Sequence, residues 1–497
     1  MDGFGGAQVP PSFQLAVPQG LHGPERRKRY TVTTAERPRT VGELKASGYK
    51  VLPVREEMRK NLIAKIRKGE SLFPGVHGYE ETVIPHIVNA ILAGQDIIFL
   101  GERGQAKSRI IRSLISLLDE DIPSLAGTEI LEDPYDPITR AGRDIIEEKG
   151  DDAELVWVPR ENRYGEKLAT PDITIADLIG EVDPIKVAEG RYLGDELTIH
   201  YGLIPRTNRG IFCLNELPDL AERIQVGLLN IMEERDVQIR GYRIRLPLDV
   251  FVVASANPED YTNRGRIITP LKDRYGAQIR THYPTRIEHE IGIMEAEHHP
   301  IPGDFKVTVP AYMKEIIAEI SRLARRSPDV NQRSGVSVRA SIANYESMLA
   351  NALRRAVITG EEEVVPRISD LPYVVPALTG KVEFETVEDG REDQIIEKLI
   401  QGAVVAVFNR YYNLGELELV VNKFKSGAAV EVGDMTPSAD YARLVASVDG
   451  MREAVDKAGA GRSPAEIAAA AEFLLEGLHL NKRLNKDKVG GKVQYRG

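Results

Sequence analysis

The segment from Asp96 to Leu118 constrains the possible fold more than any other part of the chain. A short apolar run, Asp96 to Leu100, precedes a glycine-containing loop, and apolar residues then recur at helical spacing from Ile110 to Leu118. Such an order offers a polyphosphate the loop's backbone N–H groups, a helix N-terminus, a lysine charge and a hydroxyl for magnesium. We therefore predict an ATP site with Mg²⁺ at Gly101, Glu102, Arg103, Gly104, Gln105, Ala106, Lys107 and Ser108.

Ala106 departs from the strict form of this pattern, which has glycine before the lysine. Its methyl group crowds the phosphates slightly but removes no hydrogen-bond donor. A chance glycine turn before a helix is the alternative interpretation. Polar residues at the ends of later strands argue against that alternative.

Two further apolar strands end in polar residues. Ile211–Leu214 leads into Asn215 and Glu216, and Val250–Ala254 leads towards Asn257. Because the carboxyl ends of parallel strands meet at one edge of a sheet, these side chains are expected beside the phosphate loop. We predict that Glu216 activates the attacking water and that Asn257 aligns it and senses the γ-phosphate. The alternative for Glu216 is a cap on the next helix.

Asn215 and Ser108 are the predicted magnesium contacts. Ser108 supplies a hydroxyl, whereas Asn215 would act through a metal-bound water. The neutral amide of Asn215 accepts a hydrogen bond but adds no negative charge. We therefore expect weaker magnesium binding or slower turnover than a carboxylate at this position would give.

Three arginines are candidates for contact with the transferred phosphoryl group. Arg274 precedes the helical part of the chain and is the predicted arginine finger, supplied to a neighbouring subunit; a surface ion pair is the alternative. Arg339, at the start of a predicted helix, is the candidate for the lid arginine called sensor 2. Arg333 is its rival.

The order of elements predicts an α/β fold with a largely parallel sheet, followed by helices beyond about residue 285. We divide the chain into a flexible Pro- and Gly-rich arm, an αβα ATPase core, a helical lid and a helical C-terminal extension. Ser463, Pro464 and Glu466 predict a capped helix start, and the basic stretch from Lys482 is expected to be frayed. The boundaries are 1–45, 46–290, 291–380 and 381–497.

Composition narrows the class of protein. The 75 acidic and 65 basic residues give a net charge of −10, which disfavours a binder of nucleic acid over its whole surface. The single cysteine, Cys213, excludes an internal disulfide and is expected in the core. Neither a signal peptide nor a membrane span is expected, and the simplest location is the cytoplasm.

In the order of its motifs, the chain resembles magnesium-chelatase subunit I. The motifs are Gly180–Pro184, Gly202–Gly210, Asn215-Glu216, Asn257-Pro258 and Asp273–Gly276, and the Ala106-Lys107 pair is similar to that of MoxR proteins. The resemblance covers roughly residues 70–350. It implies a P-loop AAA+ core of the helix-2-insert clade, working as a ring, usually a hexamer, often with a partner that bears a von Willebrand A domain.

Two segments fit that clade as hairpins. One is the insert 190–200, and the other is 237–246, whose polar face carries Arg240, Arg243 and Arg245. This arginine face could contact an acidic substrate or nucleic acid, or it could simply be solvated.

Several functions remain compatible with the sequence. The first is an ATP-driven ring that remodels a partner protein, with a chelatase subunit as its narrower form. The second is a nucleotide-gated scaffold that barely hydrolyses ATP, suggested by Asn215. The third is a nucleic-acid motor or transcription activator, which the acidic net charge and the lack of a recognisable helix-turn-helix disfavour.

Overall fold

The computed structural model describes residues 37–188, 195–234, 246–257, 266–301, 303, 305–332, 334–385, 391–489 and 492–497. Several predictions concern residues outside these ranges: the arm up to residue 36, the tip of the 190–200 insert, the arginine hairpin and Arg333.

The strands of the described ranges include one large parallel sheet. In chain order the strands are β1 Ile97–Leu100, β2 Asp121–Leu125, β3 Leu155–Pro159, β4 Tyr164–Leu168, β5 Gly180–Val182, β6 Ile199–Tyr201, β7 Gly210–Asn215, β8 Val250–Ala256, β9 Ala277–Arg280, β10 Lys306–Val307, β11 Glu363–Val364, β12 Ala429–Val432, β13 Asn485–Val489 and β14 Lys492–Arg496. The large sheet has the order β4-β7-β8-β1-β9, and every pairing in it is parallel. The predicted α/β core is confirmed.

Register brings the strand ends together at one edge of this sheet. Leu100 of β1 lies opposite Ala256 of β8, and Leu214 of β7 lies opposite Ala254. The loop after β1 and the polar residues after β7 and β8 therefore start from the same edge, as the sequence predicts.

Helices cover both faces of the sheet. They are α1 Val41–Ala46, α2 Val54–Lys68, α3 Val83–Leu92, α4 Lys107–Ser113, α5 Arg140–Lys149, α6 Ile175–Leu178, α7 Pro184–Ala188, α8 Leu203–Arg206, α9 Glu222–Glu234, α10 Thr269–Arg274 and α11 Ile287–Glu297. Successive residues of a strand point to opposite faces, so Ile211 and Cys213 pack with α2, α3 and α4, whereas Phe212 and Leu214 pack with α9. Cys213 is buried in this core, as expected.

The remainder is largely helical, as predicted. Its helices are α12 Ala311–Ala324, α13 Val338–Thr359, α14 Val375–Thr379, α15 Arg391–Tyr411, α16 Glu418–Lys425, α17 Ser438–Ser447, α18 Met451–Lys457 and α19 Pro464–Leu480. One hydrophobic cluster runs from Met294 to Tyr495 and includes residues of all these helices. The segments 291–380 and 381–497 therefore share a core.

The end of the chain is not frayed, so that expectation is wrong. β12 pairs with β14, and β14 pairs with β13, in a small antiparallel sheet. Tyr495 is buried, and its hydroxyl donates to Glu476 of α19. The apolar side chains of this sheet pack on the helical core. The stabilisation from this packing outweighs the effect of the lysine charges on the sheet.

The predicted flexible arm ends before residue 37. Thr40 caps α1, the N–H of Val41 donates to the carbonyl of Ala153, and the Trp157 indole donates to the carbonyl of Pro38. The expectation of flexibility is therefore wrong for residues 37–45. The insert also differs from its prediction. The strands that pair are β5 and β6, and a 3-10 turn at Glu196–Thr198 lies between the undescribed tip and β6.

No helix in the described ranges combines the length and apolar character that crossing a membrane would require.

Candidate nucleotide-binding site

A cavity of about 320 Å³ lies between the loop after β1, the residue after β7 and the helical part of the chain. It is lined by these predicted residues: Arg103, Gly104, Gln105, Ala106, Lys107, Ser108, Glu216 and Arg339. The predicted phosphate loop, water activator and lid arginine thus meet at one cavity.

Left-handed backbone conformations shape the loop. Gly104 has φ 74° and Ala106, the residue before α4, has φ 56°. The alanine conformation costs roughly 1–2 kcal/mol that glycine would avoid. The Lys107 ammonium donates to the carbonyl of Gly101 and, at 2.9 Å, to that of Glu102. The lysine charge is therefore held across the loop, next to the N-terminus of α4.

Neighbouring side chains hold the loop from behind. The Tyr79 hydroxyl lies 3.0 Å from the carbonyl of Gln105 and 2.6 Å from that of His282. The Thr281 hydroxyl donates to the side-chain oxygen of Gln105 at 2.7 Å. Burial raises the pKa of Tyr79 to about 12, so its hydroxyl keeps its proton at neutral pH. Gln105 therefore serves to position the loop.

The lid closes over the loop at Gly104. A Cβ at that position would overlap the Ser337 hydroxyl and lie 3.1 Å from the Ser337 Cα. Ser337 caps α13 by accepting from the N–H of Arg339, which places this arginine in the first turn of the helix and at the cavity.

Glu216 is a strained residue at the end of β7. Its φ of 55° is left-handed, and for a residue with a side chain this costs of order 1–3 kcal/mol. It precedes a 3-10 helix, but its side chain makes no capping hydrogen bond. The alternative interpretation of Glu216 as a helix cap therefore has no support.

Asn215 is tied to its neighbours on both sides. Its amide nitrogen donates to Glu166 of β4, and its oxygen accepts from Ser255 of β8 at 3.1 Å. Ser255 in turn accepts from the backbone N–H of Glu216 at 3.1 Å. Asn215 does not line the cavity, and its predicted contact with a magnesium-bound water stays a prediction.

The remaining predicted residues that the structure describes do not line the cavity. Gly101 donates its N–H to the carbonyl of Ala256, and the Glu102 carboxylate faces the Tyr283 hydroxyl. Asn257 is buried at the end of β8. Arg274 ends α10 and pairs with Glu233 at 2.6 Å.

Several cavity residues were missed by the sequence analysis. They are Gly75, Val76, His77, Tyr79, Arg109, His282, Pro284, Ile293, Glu297, Val338 and Ile342. The apolar ones come mainly from the segment before α3, from α11 and from α13, so the cavity also offers apolar contacts to a nucleobase. The sequence signal for this group is the pair of glycines Gly75 and Gly78 around Val76-His77, which indicates a turn.

These residues fit a magnesium nucleotide. The loop carries a lysine and a serine at a helix N-terminus, and apolar side chains also line the cavity. Bound magnesium would neutralise phosphate charge, and Ser108 has the hydroxyl to hold it.

A family model for the sigma-54 interaction domain matches residues 186–271. Relatives with described functions are magnesium-chelatase subunits. The subunit ChlI of Nephroselmis olivacea is 23% identical over 359 residues, covering 66% of this chain and 94% of that protein. The one from Chlorella vulgaris is 25% identical over 363 residues, covering 66% and 95%. The one from Nostoc sp. is 26% identical over 261 residues, covering 51% and 64%.

Solved structures are more distant. One chain from a cryo-EM-based model of the complex between subunits BchI and BchD of magnesium chelatase has a TM-score of 0.34 at 18% identity, covering 66% of this chain and 98% of that one. At this TM-score the superposition carries no argument. The motif order, the parallel sheet and these relatives support an ATPase similar to magnesium-chelatase subunit I, with ATP and Mg²⁺ as its cofactors.

Proposed function

We propose that the chain is a subunit of an ATP-driven hexameric ring that remodels or activates a partner protein. The observation that supports this most is the cavity that combines the phosphate loop, Glu216 and the lid residue Arg339. A lid that contacts the nucleotide moves when the γ-phosphate is lost, and such motion is the output of a remodelling ATPase.

Each residue has a role in the proposed reaction. Gly104 and Lys107 bind phosphates, and Ser108 holds magnesium, with Asn215 near its waters. Glu216 takes a proton from the attacking water, and Asn257 aligns that water. Arg339 contacts the γ-phosphate from the lid.

The test of the ATPase site is a pair of substitutions. We expect Lys107→Ala to weaken ATP binding and Glu216→Gln to leave binding intact while lowering kcat by about 10²–10⁴-fold, because the amide cannot accept the proton. Binding is measured with a fluorescent ATP analogue and turnover by phosphate release. Glu222→Gln, at an exposed glutamate in the first turn of α9, is the matched control.

Two outcomes would decide against this function. Negligible turnover by both the wild type and Glu216→Gln, with normal ATP binding, would favour the nucleotide-gated scaffold. Lys107→Ala that binds ATP as tightly as the parent would remove the phosphate-loop assignment altogether.

A substitution of Arg274 tests whether the chain works in a ring. Its guanidinium lies at the end of α10, paired with Glu233 and Asp273, and it is absent from the cavity of its own subunit. We propose that it completes the site of a neighbouring subunit. Arg274→Ala should leave ATP binding unchanged. It should also remove the rise of specific activity with protein concentration, so that at saturating protein concentration the variant is about 10³-fold less active than the wild type.

Arg286→Ala is the control for Arg274, since Arg286 is an exposed arginine paired with Glu288. If Arg274→Ala turns over like this control at every protein concentration, Arg274 is a surface ion pair.

The partner is proposed from the family resemblance alone. A protein with a von Willebrand A domain is the class to test first, by co-purification in the presence of ATP. The arginine hairpin, the main support for a nucleic-acid motor, lies outside the described residues. ATP turnover that DNA or RNA leaves unchanged, without salt-sensitive binding, would remove that function.

A further inference from the structure

The carboxylate of Glu166 is a charged group at the ATPase site that the proposed reaction does not use. Glu166 lies on β4, beside β7, and its side chain is 21% exposed. Arg112 of α4 donates to both of its oxygens, at 3.0 and 3.2 Å, and the Tyr164 hydroxyl donates at 2.9 Å. Asn215 supplies a further donor through its amide nitrogen.

These contacts continue without a break to the backbone of Glu216. Glu166 accepts from Asn215, Asn215 accepts from the Ser255 hydroxyl, and Ser255 accepts from the N–H of Glu216. The chain of hydrogen bonds has one direction only. Turning the Asn215 amide over would set its oxygen against a carboxylate and its nitrogen against a hydroxyl proton.

The network accounts for the amide at position 215. The side chain there must donate to Glu166 and accept from Ser255, and at neutral pH an amide does both whereas a carboxylate only accepts. Glu166 accepts hydrogen bonds from Arg112, Tyr164 and Asn215, so it acts as an acceptor towards position 215. An aspartate at 215 would therefore stand against a second carboxylate.

We propose that Glu166 is a positioning residue of the ATPase: it fixes the orientation of the Asn215 amide, so that Asn215 and Ser255 hold Glu216 in the left-handed conformation from which it acts on water. Asn215 is then the partner that Glu166 requires. It is not a weakened form of an acidic magnesium contact. The proposal rests on the role of Glu216 given above.

The test is a cycle of three variants, Asn215→Asp, Glu166→Gln and the two combined. Asn215→Asp sets two acceptors against each other, and Glu166→Gln replaces one carboxylate oxygen by a donor that faces other donors. The combined change restores one donor facing one acceptor, with the direction reversed. We expect each single variant to lower kcat by about tenfold with the ATP affinity within about threefold of wild type, and the double variant to recover most of the loss.

Glu161→Gln is the matched control, because Glu161 is an exposed glutamate paired with an arginine one residue away. We expect its kcat, KM and thermal unfolding midpoint to equal those of the wild type. The unfolding midpoints of the cycle provide a second readout, in which the double variant should be more stable than Asn215→Asp alone.

Three results would overturn the proposal. These are Asn215→Asp turning over at the wild-type rate or faster, Glu166→Gln behaving like Glu161→Gln, or the double variant being no better than the worse single variant in both kcat and unfolding. If the wild type itself lacks turnover, the role of Glu216 fails. The coupling in the unfolding midpoints then still shows whether Glu166 and Asn215 act as a pair, so the two failures are distinguishable.

Discussion

Backbone strain at single residues is concentrated at the nucleotide site. Ala106 and Glu216 are two of the four non-glycine residues with positive φ in the described ranges, the others being Arg209 and Lys482. Ala106 precedes α4 and Glu216 follows β7, and both residues line the cavity. Strain of this kind persists only where the surroundings fix it, as Ser255 does for Glu216.

Gly104→Ala tests how closely the lid approaches the loop. The methyl group would overlap Ser337, and φ 74° disfavours any side chain, so we expect ATP affinity to fall by about tenfold or more. Isothermal titration with ATP measures it. Gly360→Ala is the control, with φ 71° and nothing within 4 Å of the added Cβ. Equal affinities for the two variants would mean that the lid moves away at no cost.

At the scale of single residues, the sequence predicted the phosphate loop, Glu216 and Arg339 as site residues. Each of them follows a recognisable strand or lies at the start of a recognisable helix. Glu166 was not predictable in the same way. Its strand reads Tyr-Gly-Glu-Lys-Leu, which lacks the apolar run of a buried strand, and its partner Asn215 is distant in sequence. Only the pairing of β4 with β7 brings the two side chains together.

The secondary-structure elements agree with the sequence where local chemistry decides them. Ser463 accepts from the N–H of Glu466, the Glu466 carboxylate accepts from the N–H of Ser463, and Pro464 opens α19. The C-terminal strands were missed because their residues alternate with lysines, and burial of Tyr495 against α19 depends on tertiary packing. A hairpin of this kind is stable only when its apolar face is covered.

Ser463→Ala should lower the free energy of unfolding by about 1 kcal/mol, through loss of the hydrogen bond to Glu466 at the start of α19. Urea titration followed by circular dichroism measures the change. Ser426→Ala is the control, since this exposed hydroxyl donates only to a carbonyl of its own helix end, Lys423. A loss as large for Ser426 would show that the capping hydrogen bond is not the cause.

At the scale of the whole molecule, a buried polar network joins the lid to the C-terminal part. Arg355 of α13 pairs with Asp370 at 2.5 Å, and both side chains are at most 2% exposed. Arg367 reaches the Ser438 hydroxyl of α17, and Glu472 of α19 accepts from the N–H of Ser369. The segment 291–380 is therefore tied to α17 and α19 by hydrogen bonds.

Arg355→Met should destabilise the helical part by about 3–5 kcal/mol, because it leaves the Asp370 charge buried without its cationic partner. Arg452→Met is the control, at a pair with Asp456 in which both side chains are about half exposed, and should cost at most about 1 kcal/mol. Differential scanning calorimetry compares them. Equal shifts would mean that the buried pair adds no more stability to the helical part than the exposed pair does.

The solitary thiol of this molecule has a practical consequence. Cys213 is the only cysteine in the chain, it is packed inside the central sheet, and burial raises its pKa to about 12. Maleimide reagents attack the thiolate, so the native side chain will not react while the protein is folded. A cysteine engineered at an exposed position of the C-terminal sheet, such as Arg496, can carry a fluorophore on an otherwise unmodified sequence. Its emission would report nucleotide-driven movement in real time.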